Sequence, residues 1–209
     1  MIRVASYVSF AIAGVLVLPA CDSVPADSAE APPREVPEAT TETPGTKPME
    51  SLYGHLKYEE TDQPLAAAGN YRDTGRVVQL RSDAARAFRE MQKAAREAGV
   101  ELVPISGFRT KGYQEGLFSR AIGKYGNEAS AARWVAPPGY SEHHAGLAVD
   151  IGALRSPETD VETTFEGTPE FTWLRDNAKR FGFELSFPRE NLQGVSYEPW
   201  HWRYVDAAP

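Results

Sequence analysis

Residues 141–151, SEHHAGLAVDI, combine two adjacent histidines with the alternating apolar positions of a strand. Side chains on a strand point alternately to its two faces, so the apolar residues at positions 147, 149 and 151 would share one face. Asp150 would lie on the opposite face, where the small Ala148 leaves open space beside it. Burying a carboxylate without a partner is costly, and a metal ion is one partner that would remove this cost. The stretch therefore predicts a strand that carries a metal-binding carboxylate.

Residues 198–204, EPWHWRY, have the pattern of a second strand. Alternation places the aromatic residues on one face, which we assign to the core, and His201 on the other. Glu198 lies three residues before His201, across a proline, a spacing that can bring a carboxylate close to a metal ion without making it a ligand. The two stretches together offer two imidazoles, His143 and His201, to a metal. Asp150 adds a carboxylate, and Glu198 is left as a base.

Zinc suits this set of donor atoms. It accepts nitrogen and oxygen ligands in tetrahedral geometry, and a catalytic site keeps one position open for water. The ion lowers the pKa of that water to about 7, and Glu198 could accept its proton and return it to a leaving amine. His144 is a poorer ligand than His143, because neighbouring residues of a strand or extended loop point in opposite directions. We expect one zinc ion per chain, and a structural or cleft-rim role for His55.

The same stretches resemble the motifs of a known family. SEHHAGLAVD fits the Ser-x-His-x-x-Gly-x-Ala-x-Asp motif of the VanY-type D-alanyl-D-alanine carboxypeptidases, and EPWHWRY fits their Glu-x-x-His end. Residues 106–110, SGFRT, followed by Gln114, are similar to the family's Ser-Gly-aromatic-Arg segment with its downstream glutamine. The resemblance covers roughly residues 51–205, and the order and spacing of the three motifs are more specific than any one of them.

The resemblance implies a role for each matching position. The zinc ligands would be the three motif residues His143, Asp150 and His201. Glu198 would be the general base, and Arg109 would polarise the scissile carbonyl and stabilise the oxyanion, where a fixed positive charge has its largest effect. Ser141 and Gln114 would hold the terminal residue of the substrate. The residues alone leave open that Arg109 is an ordinary surface arginine, Ser141 a loop residue and Gln114 a solvated helix position.

The resemblance further implies a zinc-dependent D,D-carboxypeptidase that removes the terminal D-alanine of peptidoglycan stem peptides. Two alternatives stay open. An enzyme of the same fold could be an L,D-carboxypeptidase or an endopeptidase, because specificity depends on the walls of the cleft. A domain of another class could be a non-catalytic, zinc-containing module that binds cell-wall peptides. Glu198 and Arg109 favour the enzyme, since binding alone needs no base.

The pattern around these motifs predicts further helices and strands. Apolar spacing predicts helices over residues 83–98, with Asp83 as the cap, and 111–125. Thr168-Pro169-Glu170 predicts the start of a third helix that ends at Gly182. Strands are predicted over residues 102–106, 147–151, 183–187 and 200–205. We expect a single α+β domain with a small, mostly antiparallel sheet that bears the zinc site between flanking helices. This fold resembles that of the hedgehog-type and D-Ala-D-Ala peptidase proteins.

The first 50 residues differ in composition from the rest. Residues 1–20 have the basic start and short apolar run of a signal peptide. Cys21 is the only cysteine, and its position resembles that of the lipidated first residue of bacterial lipoproteins; simple cleavage nearby is the alternative. Residues 21–50 are rich in Pro, Glu and Thr and lack aromatic residues, which predicts a disordered tether. Residues 51–209 would then form a metallopeptidase domain, exported and anchored at the membrane, facing the periplasm or wall.

The charge distribution bears on the partners. The net charge is -7, and residues 51–209 contain no basic stripe, so nucleic acid is not an expected partner. The expected partners are peptidoglycan stem peptides and, through the N-terminal lipid anchor, the membrane.

Overall fold

The computed structural model describes residues 50–205. The predicted signal peptide (1–20), Cys21 and all but the last residue of the predicted tether (21–50) lie outside the described residues, as do the last four residues of the predicted domain. Within residues 50–205, no helix has the length and apolar character needed to cross a bilayer.

Two short antiparallel hairpins open the described part of the chain. They are formed by the strands β1 (Ser51–Leu52) and β2 (His55–Leu56), and β3 (Leu65–Asn70) and β4 (Val77–Arg81). The remaining elements, in chain order, are α1 (Ser82–Glu97), β5 (Leu102–Ser106), α2 (Lys111–Tyr125), α3 (Glu128–Ala132), β6 (Ala148–Ala153), α4 (Pro169–Asn177), β7 (Phe183–Leu185) and β8 (His201–Tyr204).

The central sheet has four strands in the order β5-β6-β8-β7, and every neighbouring pair is antiparallel. This architecture confirms the expected α+β class with a small antiparallel sheet. Pro104 lies in β5, which is at the edge of the sheet, where a residue without an amide proton is tolerated.

One face of the sheet forms the core. The apolar side chains Val149 and Ile151 of β6 are fully buried there, against a buried stripe on α1 that includes Phe88 and Met91. Trp202 of β8 belongs to the same cluster, as the strand alternation predicted. Because the aromatic and aliphatic residues occupy this face, the polar residues between them point to the opposite face.

The sequence predicted the ends of some helices and strands better than those of others. The predicted bounds of β5 and α2 are confirmed, and Thr168 caps α4 by accepting a hydrogen bond from the Phe171 amide at 3.1 Å. The prediction that Asp83 caps α1 is wrong. The helix begins at Ser82, and Asp83 lies in its first turn with its carboxylate paired to Arg81 at 2.5 Å. An acid in the first turn still stabilises the helix through its dipole, so Asp83 correctly marks where the helix begins although it is not the cap.

The ends of the predicted strands and helices shift by a few residues elsewhere. β6 starts one residue later than predicted and extends two residues further, β7 stops two residues earlier, and β8 covers the middle of its predicted range. The third predicted helix is α4 followed by a 3₁₀ turn, Ala178–Phe181, and ends at Gly182 as expected. The hairpins and α3 were not predicted.

Candidate metal centre

The register of the central sheet brings two of the predicted ligands together. Asp150 of β6 lies directly opposite His201 of β8, and directly opposite Ser106 of β5 on its other side. Residues opposite each other in an antiparallel pair share a face of the sheet. Asp150 Oδ1 consequently lies 3.1 Å from His201 Nδ1.

The third predicted ligand comes from a short 3₁₀ turn, Glu142–Ala145, that precedes β6. His143 Nε2 lies 3.5 Å from Asp150 Oδ2, and the rings of His143 and His201 meet edge-on with their centroids 5.0 Å apart. One donor atom from each of the three residues lies within 4.8 Å of the others, and all three residues are buried. The three motif positions, distant in sequence, converge on one point.

Hydrogen bonds on the far side of each ring decide which nitrogen faces this point. The carbonyl oxygen of Gly107 lies 2.7 Å from His143 Nδ1, which must therefore donate and leave the Nε2 lone pair free. The carboxylate of Glu142 lies 2.8 Å from His201 Nε2, so this ring presents Nδ1 instead. Histidines that bind metals almost always donate their other N–H in this way. The donor set and its orientation fit a zinc ion.

The Gly107 turn that orients His143 is held against β4. The Phe108 amide donates to the Gln79 carbonyl at 2.7 Å. A side chain at Gly107 would place its Cβ 2.2 Å from that same carbonyl oxygen, closer than atoms can approach. Only glycine therefore allows β4 and the end of β5 to lie this close and keeps the Gly107 carbonyl in line with His143.

Glu142 was not among the predicted site residues. It is buried, and besides His201 its carboxylate accepts a hydrogen bond from Ser186 Oγ at 2.6 Å and pairs with Arg203 Nη1 at 3.2 Å. These partners, despite its burial, hold the pKa of Glu142 at about 2. The sequence signal was the acid next to a predicted ligand, but its partner His201 is 59 residues away and only the fold pairs them.

The electrostatics of the centre favour a cation. Burial lowers the pKa of His143 to about 4, with the Arg109 charge acting in the same direction, so its imidazole is neutral and ready to bind a metal. Burial opposes charge at His201 too, but the carboxylates of Asp150 and Glu142 outweigh it and raise the pKa to about 10. Burial also disfavours the ionised form of Asp150. His143 and Arg109 nevertheless hold its pKa well below the usual range.

Glu198 lies beside the three ligands without belonging to the cluster. Its Oε2 is 3.9 Å from His201 Nδ1, and the residue is buried in the loop before β8. Burial, together with the nearby charges of Asp150 and Glu142, raises its pKa to about 8. A divalent cation would lower this value, because nearby positive charge favours the ionised carboxylate. A carboxyl that titrates near neutral pH is suited to accept and return a proton.

Arg109 approaches the centre from the loop after β5. Its Nη2 contacts Asp150 Oδ2 at 2.5 Å, and its Nε donates to Ser106 Oγ at 2.9 Å. The guanidinium is thereby fixed at the wall of a cavity of about 390 Å³ that Glu198 also lines. Arg109 is thus a cleft residue and not an ordinary surface arginine.

Ser141 and Gln114 line the same cavity, and both are buried. This excludes a solvated helix position for Gln114, whose Nε2 donates to the Ala136 carbonyl at 2.8 Å. Its Oε1 is buried and accepts no hydrogen bond within residues 50–205. Buried amide oxygens are normally bonded, so a ligand in the cavity can supply the missing donor.

The other two histidines of the domain do not point at the centre. His144 is fully buried, with Nδ1 donating to the Arg109 carbonyl at 2.7 Å and Nε2 accepting from the Gly139 amide at 3.1 Å. Both nitrogens are therefore occupied by backbone groups, so in this position neither is free to bind the metal. His55 forms part of the cavity wall, with its Nε2 2.7 Å from the Ala132 carbonyl oxygen.

Comparison with known proteins agrees with the resemblance seen in the sequence motifs. Residues 77–207 match a family model described as VanY: D-alanyl-D-alanine carboxypeptidase. The putative carboxypeptidase YodJ of Bacillus subtilis (strain 168) is 39% identical over 128 residues, which make up 60% of this chain and 46% of that protein. The chain thus matches less than half the length of this curated relative.

Two solved structures are similar in both fold and sequence. The LdcB LD-carboxypeptidase superposes with a TM-score of 0.62 and 35% identity, covering 71% of this chain and 70% of that one. A mutant of the vancomycin resistance D,D-pentapeptidase VanY, in complex with Zn(II), gives a TM-score of 0.56 and 33% identity, covering 69% of this chain and 79% of that one. The family match includes all three candidate ligands, Glu198 and Arg109.

Proposed function

The chain belongs to the VanY family of D-alanyl-D-alanine carboxypeptidases, whose model matches residues 77–207, and from this premise we propose that it is a zinc-dependent D,D-carboxypeptidase of peptidoglycan stem peptides. The product would be a stem peptide shortened by its terminal D-alanine. The similarity to YodJ and to the Zn(II)-containing D,D-pentapeptidase VanY supports this choice.

The observation that carries the proposal is the oriented, buried donor set. We assign one zinc ion to His143 Nε2, a carboxylate oxygen of Asp150 and His201 Nδ1. Each imidazole already donates its other N–H to an acceptor of the protein, so neither ring has to turn to bind. His201 would release its Nδ1 proton when the metal binds, because a metal ligand must be the neutral imidazole. Three protein ligands are the number that catalytic zinc sites use, since one position stays open.

A bound zinc ion would polarise the scissile carbonyl and increase the acidity of water at the open position. Glu198 is the base in our assignment, because its carboxyl lies beside the ligands and its pKa is raised towards neutrality. It would take a proton from the attacking water and deliver it to the amine of the leaving D-alanine. Arg109 would stabilise negative charge on the carbonyl oxygen, since its guanidinium is fixed at the cavity wall.

Ser141 and Gln114 would hold the terminal residue of the substrate. Both are buried in the cavity wall, and the Gln114 amide retains an unpaired oxygen and a second proton on its nitrogen. A cavity of about 390 Å³ is large enough for the terminal residues of a peptide but not for a folded protein.

Incubation of the purified, zinc-loaded chain with defined tetra- and pentapeptides, followed by mass spectrometry, tests this function. We expect the pentapeptide to lose a single D-alanine and the tetrapeptide to stay intact. The similarity to the LdcB LD-carboxypeptidase makes L,D-cleavage the main competitor, and trimming of the tetrapeptide alone would establish it. Binding of both peptides without cleavage would replace the enzyme with a binding module.

The N-terminal sequence pattern supports a proposal for the location of the domain. We propose that residues 1–20 direct export and that Cys21 is lipidated, which would hold the domain at the membrane through the tether. Labelled palmitate fed to expressing cells would enter the wild-type chain but not a Cys21→Ser variant. Equal labelling of the two, or release of the wild-type chain as a soluble protein, would contradict the anchor.

A further inference from the structure

A second cavity of about 350 Å³ adjoins the cavity of the metal centre. The two share four lining residues: Arg76, Ser106, Arg109 and Tyr113. The second cavity is lined by residues of β4 and by the Gly107 turn. A peptide whose terminal residue occupies the first cavity would therefore find room for its preceding residues in the second.

Arg76 stands at the junction of these two cavities with its guanidinium held in place. Its Nη2 donates to the Ile105 carbonyl at 2.7 Å, and its guanidinium carbon lies 4.7 Å from the centre of the Tyr71 ring. Tyr71 is itself fixed, because its hydroxyl donates to Asp160 at 3.0 Å and its amide donates to the Arg76 carbonyl at 2.9 Å. The side chain is thus preorganised, although it is exposed to solvent.

The charge of Arg76 is not neutralised by the part of the protein that the structure describes. Every carboxylate of residues 50–205 that forms an ion pair does so with a base other than Arg76. Asp160, for example, pairs with Arg72 at 2.7 Å, and Asp150 pairs with Arg109. The other guanidinium shared by the two cavities, that of Arg109, is therefore already paired, and Arg76 is not. A fixed guanidinium with free N–H groups is well suited to bind a carboxylate with two hydrogen bonds.

Building on the proposed function, we propose that Arg76 binds a free carboxylate that the stem peptide carries upstream of the scissile bond. Stem peptides offer two such groups: the α-carboxylate of a γ-linked glutamate and the side-chain carboxylate of a diaminopimelate residue. Arg76 would act as a specificity residue, because amidation or replacement of the recognised carboxylate removes its partner. It lies one residue before the segment matched by the family model, so this contact is argued from the structure of this chain alone.

Peptide binding to a zinc-loaded Glu198→Ala chain, measured by calorimetry, tests the proposal without requiring turnover. The probes are pentapeptides with the glutamate carboxylate free or amidated, and with diaminopimelate or lysine at the third position. We expect removal of one of the two carboxylates to weaken binding about two- to fivefold, as for a solvent-exposed pair with bidentate geometry. The carboxylate whose removal matters identifies the group that Arg76 recognises.

Adding Arg76→Gln should abolish this preference, so that peptides with and without the recognised carboxylate bind equally, whereas Arg76→Lys should keep part of it. Arg86→Gln, an exposed arginine on α1 that lines neither cavity, is the matched control and should leave the preference intact. The proposal is overturned if Arg76→Gln leaves the preference unchanged, if it weakens all peptides equally, or if no peptide binds. Cleavage by the Glu198-containing chain is measured separately, so failure of the proposed function is recognised independently.

Discussion

Replacing Glu142 with glutamine tests the view that this buried carboxylate orients His201. The substitution keeps the size of the side chain but removes its charge. The hydrogen bond from His201 Nε2 at 2.8 Å then ends on a neutral amide oxygen, and the amide group must also face Ser186 and Arg203. Arg203 keeps its second partner, Glu184, at 2.5 Å, so the fold should survive.

The size of the effect follows from the contacts. A hydrogen bond to a charged group contributes about 1.5–3 kcal/mol, and Glu142 is too buried for solvent to screen this value much. Loss of the acceptor behind a metal-binding histidine typically lowers metal affinity by about 10- to 100-fold. We therefore expect Glu142→Gln to weaken zinc binding by about 10- to 100-fold, or about 1.4–2.7 kcal/mol.

A competition titration against a chromogenic chelator measures this change, with circular dichroism to show that the variant is folded. Glu184→Gln is the matched control, since Glu184 also binds Arg203 but does not touch His201 and is half exposed. It should bind zinc within about twofold of the wild type, as exposed ion pairs contribute little. A folded Glu142→Gln chain with wild-type zinc affinity would refute the orienting role.

Three further substitutions have expected outcomes. Glu198→Gln should lower kcat by about 10²- to 10⁴-fold in peptide cleavage while zinc content stays at one per chain; loss of the metal would mean that Glu198 is a ligand instead. Gly107→Ala should lower the free energy of unfolding in urea by about 1–3 kcal/mol and also weaken zinc binding, because the new Cβ would overlap the Gln79 carbonyl. An unchanged unfolding free energy and zinc affinity would show that β4 can move away. Phe88→Ala should cost about 3–5 kcal/mol in urea unfolding, since the ring is fully buried between α1 and the sheet, and a loss below 1 kcal/mol would contradict the assigned core.

The parts of the fold that the sequence predicted well are those with local signals. α2 has a threonine cap whose oxygen accepts from the Tyr113 amide at 3.1 Å, and Gly126 follows its last residue in the left-handed conformation. The β3–β4 hairpin lacks such signals. Residues 65–70, LAAAGN, contain no β-branched or aromatic side chain, and their pairing includes a register shift that only the neighbouring strand specifies.

The candidate site likewise contains residues that the sequence predicted and groups that it did not. The sequence identified the three predicted ligands, and the structure brings them together, because each lies in a dense motif and strand alternation decides the face on which Asp150 and His201 lie. The groups that orient the imidazoles could not be predicted. The Gly107 carbonyl is a backbone atom, and Glu142 meets His201 only through the pairing of distant segments.

The most direct test of the metal centre is X-ray absorption at the zinc edge of the purified chain, with metal content measured on the same sample. The donor set predicts one zinc per chain with two imidazole nitrogens at about 2.0–2.1 Å and oxygen ligands at about 2.0–2.2 Å. A His201→Ala chain should lose one imidazole from the spectrum and most of its bound zinc. A wild-type spectrum with fewer than two imidazoles, or zinc that His201→Ala retains with unchanged ligands, would contradict the site described for this chain.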